Sequence, residues 1–133
     1  MVRIGSLRMV RGQIKGVQML NLTPHAIVIQ GDDGTSVTIP PSGVVARVAT
    51  SETVVSEVTL GSATIPVVAR AFGQVTGLPE TDEACIVSGL VLEAVRLQQP
   101  WRRRVYAPDT GATAIRDEAG RIIAVRRLVG LAP

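Results

Sequence analysis

The stretch Cys85-Ile86-Val87-Ser88-Gly89-Leu90-Val91-Leu92-Glu93-Ala94-Val95-Arg96-Leu97-Gln98-Gln99-Pro100 decides the fold. Its first three residues are apolar and read as a short strand. Ser88 then stands where a helix N-cap belongs, because its hydroxyl can accept a backbone N–H left without a partner in the first turn. Leu90, Val91, Ala94 and Val95 recur at helical spacing, with Glu93 and Arg96 facing away. Pro100 stops the run, so the helix is predicted over about residues 89–98. Arg104-Val105-Tyr106-Ala107 follows as another strand. Strand, helix and strand in this order predict a βαβ-like unit with a parallel, right-handed crossover. A helix of about ten residues is near the shortest that can make one.

Outward from this unit the pattern is of short β-branched strands. Residues 26–30 and 36–39 flank Gly31-Asp32-Asp33-Gly34 and predict a hairpin. Pro40-Pro41-Ser42-Gly43 ends the second of them, since proline cannot donate to a ladder. Residues 44–49 read as a third strand, and residues 53–60 and 64–71 as two more, joined through Gly61-Ser62. Beyond Phe72 the regularity breaks at Gly73, Gly77 and Pro79, and Glu80, Asp82 and Glu83 make an acidic loop. On the far side of the βαβ unit, residues 113–116 and 121–128 form a closing hairpin around Asp117-Glu118-Ala119-Gly120. The predicted class is α+β: a mainly antiparallel sheet or partly open barrel, with one helix and the small strand-helix-strand unit. Residues 19–133 are expected to form a single domain.

Composition sets the exclusions. A chain of 133 residues, 46% hydrophobic and 19% charged, can bury a core. With 2% aromatic residues (Phe72, Trp101, Tyr106) that core is aliphatic, and stacking platforms for single-stranded nucleic acid are not expected. One cysteine, Cys85, excludes an internal disulfide framework, and with the single histidine, His25, it falls short of a zinc ligand set. No cofactor is expected. Without an apolar run near the roughly 20 residues that span a bilayer, the expected location is the cytoplasm of a host cell, or a virion. The net charge of +3 belongs to the first 20 residues, which hold Arg3, Arg8, Arg11 and Lys15 and no acid. The remainder carries 10 basic and 11 acidic groups, so nucleic-acid binding is expected only through this arm. Residues 1–18 read as a flexible basic arm. The alternatives are a strand over residues 13–19, or an extension ahead of a start at Met9 or Met19.

Polar residues in the loops supply the candidate chemistry. Asp109-Thr110-Gly111-Ala112 has the local form of a retroviral-type aspartic protease loop, but only 22 residues follow Gly111, too few for the rest of such a fold. An Asx-type turn, with the Asp109 carboxylate bonding the backbone ahead of it, is the simpler reading. Thr23-Pro24-His25 offers a base in His25, although Asn21 and Thr23 suit a turn-fixing role for the segment. Ser88 lacks the Gly-x-Ser-x-Gly elbow of a hydrolase nucleophile, and capping accounts for it. Arg47, Arg70 and Arg116 end or interrupt apolar runs; Asp109, Asp117 and Glu57 are the carboxylates available to any that face inward. Arg116-Asp117 is read as a turn salt bridge, and Arg102-Arg103-Arg104 as a solvated turn, or else a phosphate or acidic-partner contact. If a small anion is bound, the expected site is where the loops after Val87 and Ala107 converge. Ser88 and the helix N-terminus would donate there, Asp109 and Thr110 would orient a hydroxyl, and Arg47 or Arg116 would bring charge.

In order along the chain stand Asn21-Leu22-Thr23-Pro24-His25, Ile39-Pro40-Pro41-Ser42-Gly43, Gly77-Leu78-Pro79, Ile86-Val87-Ser88, Pro108-Asp109-Thr110-Gly111 and Arg116-Asp117-Glu118 with Gly120. This ordered set resembles a group of small uncharacterised proteins encoded by bacteriophages, prophages and bacterial genomes, over roughly residues 20–128. The resemblance implies a phage or mobile-element context and assigns no activity. The expected function is accessory, acting by binding rather than catalysis, on a protein partner or a small anionic ligand. Two alternatives stand beside it: a virion-structural or homo-oligomeric interaction protein, and a small hydrolase-type enzyme using His25 or Asp109.

Overall fold

The computed structural model describes residues 19–132. The expectations for residues 1–18 lie outside the described residues. At the centre is a four-stranded sheet built from β1 (Met19–Asn21), β6 (Ala84–Ile86), β7 (Val105–Pro108) and β10 (Leu128–Gly130), in that spatial order. β1 pairs with β6 and β6 with β7, both parallel, while β10 joins β7 antiparallel. The βαβ unit is present: β6 leads through α1 (Gly89–Gln98) to β7. Ser88 caps α1 in extended conformation, its Oγ accepting the Val91 N–H at 3.2 Å. Such a cap is worth about 1 kcal/mol.

The parallel strands β6 and β7 and most of β1 are covered on both faces, which is why they read as largely apolar runs, whereas β10 at the edge is mostly exposed. Alternation sorts the side chains. Leu20, Cys85, Val105 and Ala107 join the core beneath the helix, while Met19, Ala84, Ile86 and Tyr106 join the opposite one. The helix contributes Val91, Leu92, Ala94 and Val95, and each Val or Leu so buried stabilises by about 1.5–3 kcal/mol. One detail differs from the sequence reading: Leu92 is buried and Leu90 is exposed. The helix rests on β7 and on the base of a hairpin described next, and that contact arc runs through residues 91, 92, 94 and 95.

Three antiparallel hairpins surround the sheet. β2 (Ile27–Gln30) and β3 (Ser36–Ile39) cover the second core with Ile27, Ile29, Val37 and Ile39. Their turn is fixed by Asp33, whose Oδ1 accepts from the Thr35 N–H at 3.0 Å and the Thr35 hydroxyl at 2.6 Å. β8 (Ile115–Arg116) and β9 (Ile122–Ala124) form the closing hairpin. The run expected as one strand over 121–128 divides into β9 and β10, because Leu128–Gly130 pairs with β7 instead. Among the described residues the strands form no closed barrel.

The third hairpin, β4 (Arg47–Leu60) with β5 (Ala63–Thr76), is the largest departure from expectation. The strands expected over 44–49 and 53–60 are one strand, and β5 runs on through Phe72 and Gly73. Register shifts lie between Val48 and Thr50 and between Val54 and Ser56, so bulges absorb the irregularity that a loop was expected to hold. Gly73 eases the first: a Cβ there would lie 3.3 Å from the Ala49 Cβ, a tighter contact than most. At about 3.3 Å per residue, 14 residues extend about 45 Å. Only the base is packed, through Val48, Phe72 and Val75 against the helix core. Every residue from 49 to 71 is exposed.

Candidate functional site

Ser88 follows β6, and Asp109 and Thr110 follow β7, but His25 lies between β1 and β2, Arg47 opens β4 and Arg116 closes β8, and the candidates divide into separate groups. Ser88 and Arg47 line one cleft of about 240 Å³, with Leu22, Thr23, Pro24 and Leu90. His25 and Thr110 line another of about 310 Å³, with Ile27, Val28, Pro108 and residues 122–125. Asp109 and Arg116 line neither.

Most of their polar atoms already have partners. The Asp109 Oδ1 accepts the Gly111 N–H at 3.0 Å, which is the Asx turn expected from sequence. Its Oδ2 accepts from Arg127 Nε at 2.9 Å and Nη2 at 2.6 Å, tying the end of β7 to the segment leading into β10. The Arg127 guanidinium, followed by the Gly111 N–H, holds the Asp109 carboxyl below its ordinary value of 3.8. A carboxylate so held is a poor general base near neutral pH. Arg116 donates to the carbonyls of Gly120 at 2.7 Å and Thr110 at 3.3 Å. The salt bridge expected between Arg116 and Asp117 is not made. Asp117 pairs with Arg121 at 3.1 Å, because its Oδ1 is turned inward to accept the Ala119 and Arg121 N–H groups at 2.9 Å each.

His25 participates through its backbone. Its carbonyl accepts from Asn21 Nδ2 at 2.8 Å and from the Thr23 hydroxyl at 3.0 Å, while the residue itself is exposed. The centre of this segment is Asn21, fully buried and saturated. Nδ2 donates also to the Ile39 carbonyl at 2.9 Å, and Oδ1 accepts the Thr23 N–H at 3.0 Å and hydroxyl at 2.7 Å. Its main chain continues the clasp, the Asn21 carbonyl accepting the Ser42 N–H at 3.0 Å. Asn-Leu-Thr-Pro-His is therefore a joint between the central sheet and the strand β3.

Cys85 is buried in the helix core, and desolvation pushes its thiol up to about 11, which leaves it in the unreactive protonated form. Among the described residues no three His, Cys, Asp or Glu side chains are grouped to hold a metal ion, and no helix is long and apolar enough to cross a membrane. Arg102 is used structurally, donating to the Pro79 carbonyl at 2.8 Å and to Gln99 Oε1 at 2.9 Å. Compared with known proteins, the chain matches no protein family, no curated protein and no solved structure.

What the sequence reading missed is the β4–β5 ribbon. Its pairing register separates two unlike faces. One carries Leu60 opposite Ala63, Val58 opposite Ile65, Ser56 opposite Val67, Thr53 opposite Ala69 and Ser51 opposite Ala71. The other carries Thr59 opposite Thr64, Glu57 opposite Pro66, Val54 opposite Val68, Glu52 opposite Arg70 and Thr50 opposite Phe72. All three charges of the exposed ribbon lie on the second face, where Glu52 and Arg70 pair at 2.5 Å. The first face has none. The signal for it was in the sequence: charged residues at 52, 57 and 70 share a face only once the two strands are placed in register.

Proposed function

We propose that this protein is an accessory protein of a phage or mobile element that works by binding another protein through the uncharged face of the β4–β5 ribbon. The observation that carries this is the exposure of Val58, Leu60, Ile65 and Val67 together on a projecting face without a single charge. Apolar side chains scattered over a surface are ordinary; a contiguous set on a limb remote from the core marks an interaction surface. A two-stranded ribbon alone in water is at best marginally stable, and covering one face removes that weakness. The phage context rests on the ordered motifs alone. The small-anion reading has weaker support, because Asp109 and Arg116 are committed to turns and Ser88 to its cap.

The test uses the cells that make the protein. In their extract the full chain is expected in a complex larger than its 14.0 kDa mass. Val58→Glu, on the uncharged face, should release it to monomer size, whereas Thr59→Glu, one residue away on the charged face, should not. Migration of the wild type as a free monomer, or equal behaviour of the two variants, overturns the reading.

A further inference from the structure

The occupant of the ribbon's uncharged face is, we infer, the same face of a second copy of this chain. This rests on the ribbon being the binding surface and adds the identity of what it binds. The argument begins with the edges. A free β-ribbon can add a partner strand along an edge or pack a partner over a face, and here both edges are blunted. On β5, Pro66 has no N–H to offer the open side: counting from the hydrogen-bonded pair Leu60 and Ala63 that closes the two-residue turn, Glu57 and Pro66 form a non-hydrogen-bonded pair, whose backbone groups point to the free edge. On β4, the register shift at Val55 twists the strand away from any straight neighbour. Proline and bulges on an edge are how sheets refuse further strands. The faces remain.

Of the two faces, the one bearing Glu52, Glu57 and Arg70 cannot be covered by an apolar surface without desolvating charge. The other consists of Leu60, Val58, Ile65, Val67 and three alanines, with Ser51, Thr53 and Ser56. A surface of this composition is complementary to itself, since apposing two copies brings no like charges together and buries no ion. Two such ribbons packed about 10 Å apart reproduce the layering of a β-sandwich, with side chains of both inner faces interleaved. The size is consistent with a reversible dimer. About 35 Å of length by about 10 Å of width gives about 350 Å² of flat area per copy. With side-chain relief counted on both copies the buried total is on the order of 1,000 Å², at the lower end of specific interfaces. The dimer should therefore dissociate on dilution.

Sedimentation velocity of the purified full chain over a concentration series tests this. The wild-type mass should climb from 14.0 kDa toward twice that value as concentration rises. Val58→Glu should weaken the association at least about tenfold, by placing a charge among Leu60, Ile65 and Val67, and Thr59→Glu should leave it unchanged. Neither position touches the core, so circular dichroism should show all three proteins folded alike. A wild type that stays monomeric at every concentration overturns self-association. If the complex in cell extract persists in that case, the partner is a different protein and the ribbon reading stands. Loss of association in both variants points to edge pairing, and in neither to another surface; each overturns the proposal.

Discussion

Replacing Asn21 by alanine should cost this small domain a large share of its stability. The Asn21 side chain makes four hydrogen bonds, two donated to the His25 and Ile39 carbonyls and two accepted from Thr23. A typical internal hydrogen bond contributes about 1 kcal/mol net, so four set a ceiling near 4 kcal/mol plus any stranded group. Thr23 is only half-buried and His25 exposed, so water recovers part of three of them. Ile39 is fully buried, but the antiparallel register also faces its carbonyl toward the Ile27 N–H, so losing the Nδ2 donor costs about 1 kcal/mol there and strands no group. The expected loss is about 3 kcal/mol, or a melting temperature lower by about 10 °C for a chain of this length. Urea unfolding followed by circular dichroism measures it. Thr23→Val, which removes the single hydroxyl proton shared between Asn21 Oδ1 and the His25 carbonyl, should cost about 1 kcal/mol. The double variant should cost less than the sum, because the two residues share a bond. A loss below about 1 kcal/mol for Asn21→Ala would refute the idea that this side chain joins β1 to β3.

Two further outcomes follow from the corners of the fold. Gly77 has φ +88°, and a Cβ there would lie 2.7 Å from the Val45 carbonyl oxygen and 3.0 Å from the Ala46 Cα. Gly77→Ala should therefore destabilise by at least about 2–3 kcal/mol, against about 1 kcal/mol for Gly61→Ala, whose φ of +61° faces open space; equal losses in chemical denaturation would show that the contact with Val45 does not matter. Asp109 titrates below its ordinary value in the native state, so its stabilisation is complete at neutral pH and is lost as pH falls below about 4. Asp109→Asn should be less stable than wild type at pH 7 and lose less on going to pH 3, and an identical acid limb in both proteins would sink the assignment of its bond with Arg127.

The helix and the strands around it were legible because their signals are local and strong: a capping serine, an apolar period and a terminating proline. The error at Leu90 and Leu92 arose because both suit a helical stripe, and only the position of β7 and the ribbon base decides which one is covered. The ribbon was not legible as one element. Thr50-Ser51-Glu52 reads as a break when a strand is assumed to keep one buried face. A strand exposed on both faces has no such face to keep, so polar residues within it say nothing about where it ends.

The scattered polar candidates share a physical explanation. Asp, Asn, Ser and Arg are the residues that make active sites, and they are also the residues that satisfy backbone groups at turns and caps. What separates the two uses is whether their polar atoms are already engaged. Asp109 holds the Gly111 N–H and Arg127, Asn21 holds three segments together, Ser88 holds the Val91 N–H, and Arg116 holds two carbonyls. Gly43 and Gly77, from two more of the ordered motifs, take the left-handed conformations at φ +96° and +88° that bring the chain into and out of the ribbon. These ordered motifs are thus largely the corners that specify the fold. Among the groups left without such partners are the apolar side chains on one face of the ribbon, and burial against another surface, not a hydrogen bond, is what would satisfy them.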